Sequence, residues 1–173
     1  GMTIAKVLRS PVPHARVRRI DATRALALHG VLAVLTRDNL DVVGRSFGAY
    51  VRDQEILASE KVRYVGDMVA AVAATEDGIA AEALKLIDVE YEELPAVFTI
   101  DDALKTDAPL VHDTLDNRKD PGYGRGGSHI VHDHSNICFH FRHERGDIQE
   151  GFRQSDQVFE DVFHFPSAQH YPM

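Results

Sequence analysis

A single cysteine, Cys138, in 173 residues leaves nothing for an internal disulfide to pair with. Long apolar runs are missing too. None approaches the roughly 20 residues needed to cross a bilayer, and the first residues have neither the basic start nor the apolar stretch of a secretory signal. Cations are scarce: 19 Lys and Arg stand against 27 Asp and Glu, for a formal charge of −8. That balance disfavours nonspecific nucleic-acid binding, which needs basic side chains against phosphate. The expectation is a cytoplasmic protein, with no nucleic acid and no membrane among its partners.

What is present suits an ordinary folded chain. A hydrophobic share of 44% excludes overall disorder, and the length allows one sizeable domain, or one domain plus an appended piece. Gly1 before Met2 matches the residue left by protease removal of a purification tag. The chain is expected to continue beyond Met173.

Residues 61–97 carry the clearest pattern. Residues 68–74 form an unbroken run of small and β-branched residues, as in a strand covered on both faces. Thr75 is placed to cap the following helix, Glu76 and Asp77 lie in its first turn, and Ile79, Ala80, Ala83, Leu84 and Ile87 form an apolar stripe. Lys85 sits near its end. Residues 88–92 then alternate Val89 and Tyr91 with acids, and Pro95 stops the strand. Strand, helix and strand predict a βαβ unit over about 68–92, most simply with parallel strands.

The remainder reads as mixed α and β, an α+β fold class. Strands are predicted at 4–9 and 15–21 around the turn Ser10-Pro11-Val12-Pro13, a helix at 22–28 ended by His29-Gly30, and a buried strand at 31–35. A single helical turn is predicted at 36–40, and an irregular connection with one or two short strands at 41–60. A brief helix follows at 100–104 with Asp101 or Asp102 near its start. The organisation predicted is a core over 2–112, a flexible Gly- and His-rich loop over 113–135, and strand, helix and strand over 136–173, with strands at 136–143 and 156–165 around a helix at 147–154.

Chemistry-bearing candidates are few, and each has a plainer explanation. His129, His132, His134, His140 and His143 crowd into a short span, and imidazoles so spaced can ligate a transition metal. No cysteine or carboxylate completes a recognised zinc spacing, so a surface loop is preferred. Gly122 to Gly127 could cradle a phosphate, but it lacks the Lys-Ser/Thr of a phosphate-binding loop. Cys138 and His140 would share a face of a strand, as a thiol and its base do; a partly buried structural cysteine explains the pair as well. Glu92-Glu93 and Asp101-Asp102 are consecutive, so they point apart in a strand or cap a helix.

The ordered segments Leu8-Arg9-Ser10-Pro11-Val12-Pro13-His14-Ala15-Arg16-Val17, Asp53-Gln54-Glu55-Ile56-Leu57-Ala58 and Lys61-Val62-Arg63-Tyr64-Val65-Gly66-Asp67-Met68 resemble the start of the molybdopterin-binding subunit of the xanthine dehydrogenase and aldehyde oxidase family. Glu90-Tyr91-Glu92-Glu93-Leu94-Pro95, Ala108-Pro109-Leu110-Val111-His112 and Gly146-Asp147-Ile148-Gln149-Glu150-Gly151-Phe152 continue the likeness. The resemblance implies an α/β hammerhead domain within a large subunit that holds molybdopterin and hydroxylates carbon centres, or carries out related oxidoreductions. It implies 2Fe-2S clusters and FAD on partner chains or domains, because such clusters need far more thiolates than Cys138 supplies. The family's pterin loops and catalytic glutamate match no residue here, so no catalytic, cofactor-binding or metal-binding residue is assigned and this chain alone is expected to be inactive. Expected partners are the downstream molybdopterin domains and the iron–sulfur and FAD subunits, with a small-molecule substrate in the parent and a homodimer as a further option. Two alternatives stay open: a free-standing hammerhead-fold binding or assembly module, and a small histidine-metal hydrolase.

Overall fold

Ser10 marks the place where the chain changes sheets. Its side chain accepts from the Val12 N–H at 3.2 Å and its hydroxyl donates to the Val12 carbonyl at 2.8 Å, closing a tight turn ahead of Pro13. In the computed structural model, which describes residues 1–40, 46–47, 54–113, 134–137 and 143–166, this turn joins β1 (Ile4–Arg9) to β2 (Ala15–Asp21). The two strands enter different sheets.

The chain divides into two units, residues 1–141 and 142–173. In the first, α1 (Thr23–Ala27), β3 (Val31–Leu35), β4 (Ser46–Phe47), β5 (Gln54–Glu55) and β6 (Lys61–Val62) precede β7 (Met68–Ala74), α2 (Asp77–Lys85), β8 (Asp88–Glu93) and α3 (Ile100–Ala103). One sheet has the order β1-β7-β3, a second β6-β2-β8, and β4 pairs with β5.

The apolar run of β7 takes its central place because it is covered on both sides. Ala70 and Val72 belong to a cluster with Ala25, Val34, Ala83 and Ile87. Val69, pointing the opposite way along the strand, joins Ala15, Val17, Ala58 and Val62. The second cluster therefore welds one sheet to the other. Alanine at 80 and 83, both fully buried, lets α2 lie close on the sheet.

Strand, helix and strand do follow one another over this region, but the two strands are not parallel neighbours. β7 pairs antiparallel with β1 and β3, and β8 pairs antiparallel with β2 in the other sheet. Length and charge explain the difference. The nine residues of α2 rise about 14 Å, while the seven of β7 span about 23 Å, so the helix does not carry the chain back along its own strand. The acids of β8 instead find the arginines of β2: Arg16 faces Glu92 and Arg19 faces Glu90 in register, and Arg18 forms an ion pair with Glu92.

Four smaller expectations also shift. Glu76, not Thr75, is the N-cap of α2, because the Thr75 N–H donates to the Gly30 carbonyl at 2.9 Å and ties that junction to the end of β3's entry turn. Residues 36–40 form a hydrogen-bonded turn in place of helix, with Asn39 Oδ1 accepting from the Thr36 N–H at 2.8 Å. Residues 156–165 form no ladder and lie exposed, since alternation alone makes no strand without a neighbour to pair with. Asn136, expected in a strand, lies in a bend, and Ile137 after it is irregular; 138–142 fall outside the described residues. The second unit contributes α4 (Ile148–Gln154), whose N-cap Asp147 accepts from the Glu150 N–H at 3.0 Å.

Candidate functional site

Beside the second sheet lies a cleft of about 190 Å³ bordered by Glu55, Arg63, Tyr64, Asp67 and His112, with Phe47 at its margin. Its floor is set by the turn Tyr64-Val65-Gly66-Asp67. The Asp67 N–H returns to the Tyr64 carbonyl at 3.2 Å, and Gly66 takes φ of +99°, a conformation open to glycine at the third position of such a turn. Ser10 clamps the turn from behind: its N–H donates to the Asp67 carbonyl and its carbonyl accepts from the Gly66 N–H, both at 2.8 Å. The Arg9 guanidinium adds a 2.8 Å bond to the Gly66 carbonyl.

Every charged group of the cleft for which a bond is described is engaged by this chain's own main chain or hydroxyls. Arg63 Nε donates to the Val111 carbonyl at 3.2 Å. Asp67 accepts from the Arg63 N–H at 3.1 Å. The two oxygens of Glu55 take the Ser59 N–H and hydroxyl at 2.9 and 2.7 Å. Burial raises the Asp67 pKa, outweighing the backbone N–H groups of Arg63 and Met68 and the Arg63 charge, which lower it. Next to the cleft, Lys61 is 3% exposed and reaches Asp113 Oδ2 at 2.6 Å. That hydrogen bond is the chief reason the Asp113 pKa is lowered. Arg63 and Lys61 thus tie residues 111–113 to β6.

These groups suit a structural seam more than a catalyst. A phosphate-bearing pterin does not fit here. The cleft is smaller than the roughly 300–1,000 Å³ of small-molecule sites, and it sets two carboxylates where an anionic cofactor would need donors.

Of the sequence candidates, His129, His132, His140, Cys138 and Gly122 to Gly127 lie outside the described residues. His134 adopts φ of +52° and borders a separate groove with Asn136. His143 belongs to the other unit. Among the described residues no three His, Cys, Asp or Glu side chains gather as metal ligands. Glu92 pairs with Arg18. Asp102 closes a capping pair with Thr99 and also meets Lys105.

Sequence reasoning missed three anchors. Arg37 donates to the carbonyls of Val17, Ser59 and Arg18 at 2.7, 2.6 and 3.0 Å. His14, 6% exposed, sets Nδ1 2.6 Å from the Pro95 carbonyl, which fixes the proton on Nδ1. Asn136 accepts from the Val111 N–H and donates to the carbonyls of Ala103 and Pro109. An isolated Arg or Asn in a loop carries no spacing signal; only His14, beside two prolines in a turn, stood within a recognisable motif.

Residues 1–95 match the family model described as the aldehyde oxidase and xanthine dehydrogenase a/b hammerhead domain. The chain belongs to this family. The hammerhead chain is 36% identical over 170 residues to a probable xanthine dehydrogenase subunit of Bacillus subtilis strain 168, covering 98% of itself and 20% of that protein. It is 37% identical to the nicotinate dehydrogenase large molybdopterin subunit of Eubacterium barkeri, over 94% of itself and 33% of that subunit. Among solved structures, CO dehydrogenase from Oligotropha carboxidovorans aligns with a TM-score of 0.60 and 39% identity, over 64% of the hammerhead chain and 14% of the other. The chain therefore spans between a fifth and a third of these curated relatives.

Proposed function

We propose that this hammerhead chain is a scaffold within a molybdenum-dependent hydroxylase subunit, holding no catalytic group of its own. The family is one of molybdopterin-containing oxidoreductases. Molybdopterin would be held by the rest of the parent subunit, and 2Fe-2S and FAD by partner chains or domains. The scaffold's work is to present a fixed surface to those domains and to the electron-transfer partner. One observation carries this reading: Arg63, Glu55 and Asp67, the charged residues best placed for chemistry, are bound to the chain's own backbone and to Ser59.

The test is turnover of the parent subunit carrying Glu55→Gln and Asp67→Asn. Turnover within about twofold of the unsubstituted subunit is expected, since losing a general acid or base costs about 10²–10⁴-fold. A hundredfold loss with molybdenum content intact would overturn the scaffold role.

A further inference from the structure

Residues 156–165 of the second unit hold Val158, Phe159, Val162, Phe163 and Phe165, exposed 60, 82, 96, 77 and 86%. In extended chain, successive side chains point to opposite sides. Val158 and Val162 then share one side, and Phe159, Phe163 and Phe165 the other. Two apolar sides mark a strand meant to be covered on both faces, and a contiguous apolar patch of this kind on a folded protein marks a contact surface. Glu160 and Asp161 place one carboxylate on each side at the middle. Ahead of the run, Ile148 and Phe152 stand one turn apart on α4, 60 and 52% exposed.

We propose that residues 157–165 are a strand supplied by this chain to a β-sheet of the polypeptide that makes up the remaining length of the family's large subunits. The inference rests on the scaffold reading given above. The lengths favour that occupant: 98% of this chain aligns with only 20% of the Bacillus subtilis relative, so four-fifths of such a protein is available to supply the sheet. The receiving sheet gains a backbone ladder along one or both edges of the strand. It offers apolar layers to the valine and phenylalanine sides and, on each side, a basic side chain, one to Glu160 and one to Asp161.

Amide hydrogen exchange read by mass spectrometry, on the isolated chain and on the molybdenum-loaded subunit, tests this directly. Amides of 157–165 are expected to exchange at near-unstructured rates in the isolated chain and to slow by about 100-fold or more in the loaded subunit, while β7 stays protected in both. Val162→Lys, at so exposed a position, is expected to leave the melting of the isolated chain unchanged and to remove the protection in the subunit. Fast exchange in a subunit that holds molybdenum overturns the strand inference and leaves the scaffold reading standing. Protection in the isolated chain that rises with its concentration, together with a dimer in sedimentation, assigns the strand to a second copy and also overturns it. A purified parent without molybdenum overturns the scaffold reading itself.

Discussion

At Gly30 two constraints meet that can be separated by comparison with Gly66. Gly30 has φ of +92°, and a Cβ there would lie 2.6 Å from Ile79 Cδ1 and 2.9 Å from Thr75 Oγ1. Gly66 has φ of +99° but nothing within 4 Å of an added Cβ. Gly66→Ala should therefore show only the backbone penalty of about 1–2 kcal/mol, and Gly30→Ala about 1–3 kcal/mol more from crowding in a packed joint. Equal losses in urea unfolding would show that the joint of β3, β7 and α2 is looser than described. Asp67 couples stability to pH. Its pKa is raised on folding, chiefly by burial, so the folded state binds that proton more tightly than the unfolded state does. The resulting stability is present below the ordinary carboxylate pKa and is lost as pH rises through the folded one. Asp67→Asn keeps an oxygen for the Arg63 N–H and removes the charge. It should raise the melting temperature relative to the unsubstituted chain near pH 7, with the advantage shrinking toward pH 3; a growing advantage on acidification would contradict the assignment.

At the scale of elements, β7 is the beam on which the first unit hangs. Val72, 1% exposed in the cluster with Val34 and Ala83, should cost about 2 kcal/mol when cut to alanine, within the range for buried methyl deletions. Leu32→Ala at 60% exposure should stay within about 0.5 kcal/mol. Chemical denaturation of the two variants measures the contrast, and similar losses would refute a buried central strand. β7 was legible from sequence because a run of Val and Ala reads the same whichever sheet it enters. Its partners were not, since the period of a strand says nothing about its neighbour. The pairing of β8 was written in charge: the arginines of β2 and the acids of β8 are complementary along the ladder, but they lie some seventy positions apart and no local pattern joins them. The cleft was illegible for a related reason. Arg63 to Val111 and Lys61 to Asp113 are contacts between distant segments, which no local spacing announces.

Across the whole molecule, both core clusters found among the described residues belong to the first unit. Two clusters of valine and alanine close the first core from both sides of β7. Lys61, nearly inaccessible, has Asp113 as its counter-ion. Asp113→Asn leaves that ammonium without its counter-ion and should lower stability by about 1–3 kcal/mol, less than a fully buried pair because Asp113 itself is largely in water. The contribution is present above the ordinary carboxylate pKa and is lost as pH falls through the lowered pKa of Asp113. Calorimetry at pH 7 and pH 3 checks both statements, and a loss that persists undiminished in acid would contradict them. On the proposed function, this hammerhead chain supports molybdenum chemistry without holding the cofactor. The most direct measurement is the molybdenum and pterin content of the purified chain after production in cells that make the cofactor. Neither is expected above background; one equivalent of each per chain would contradict the account.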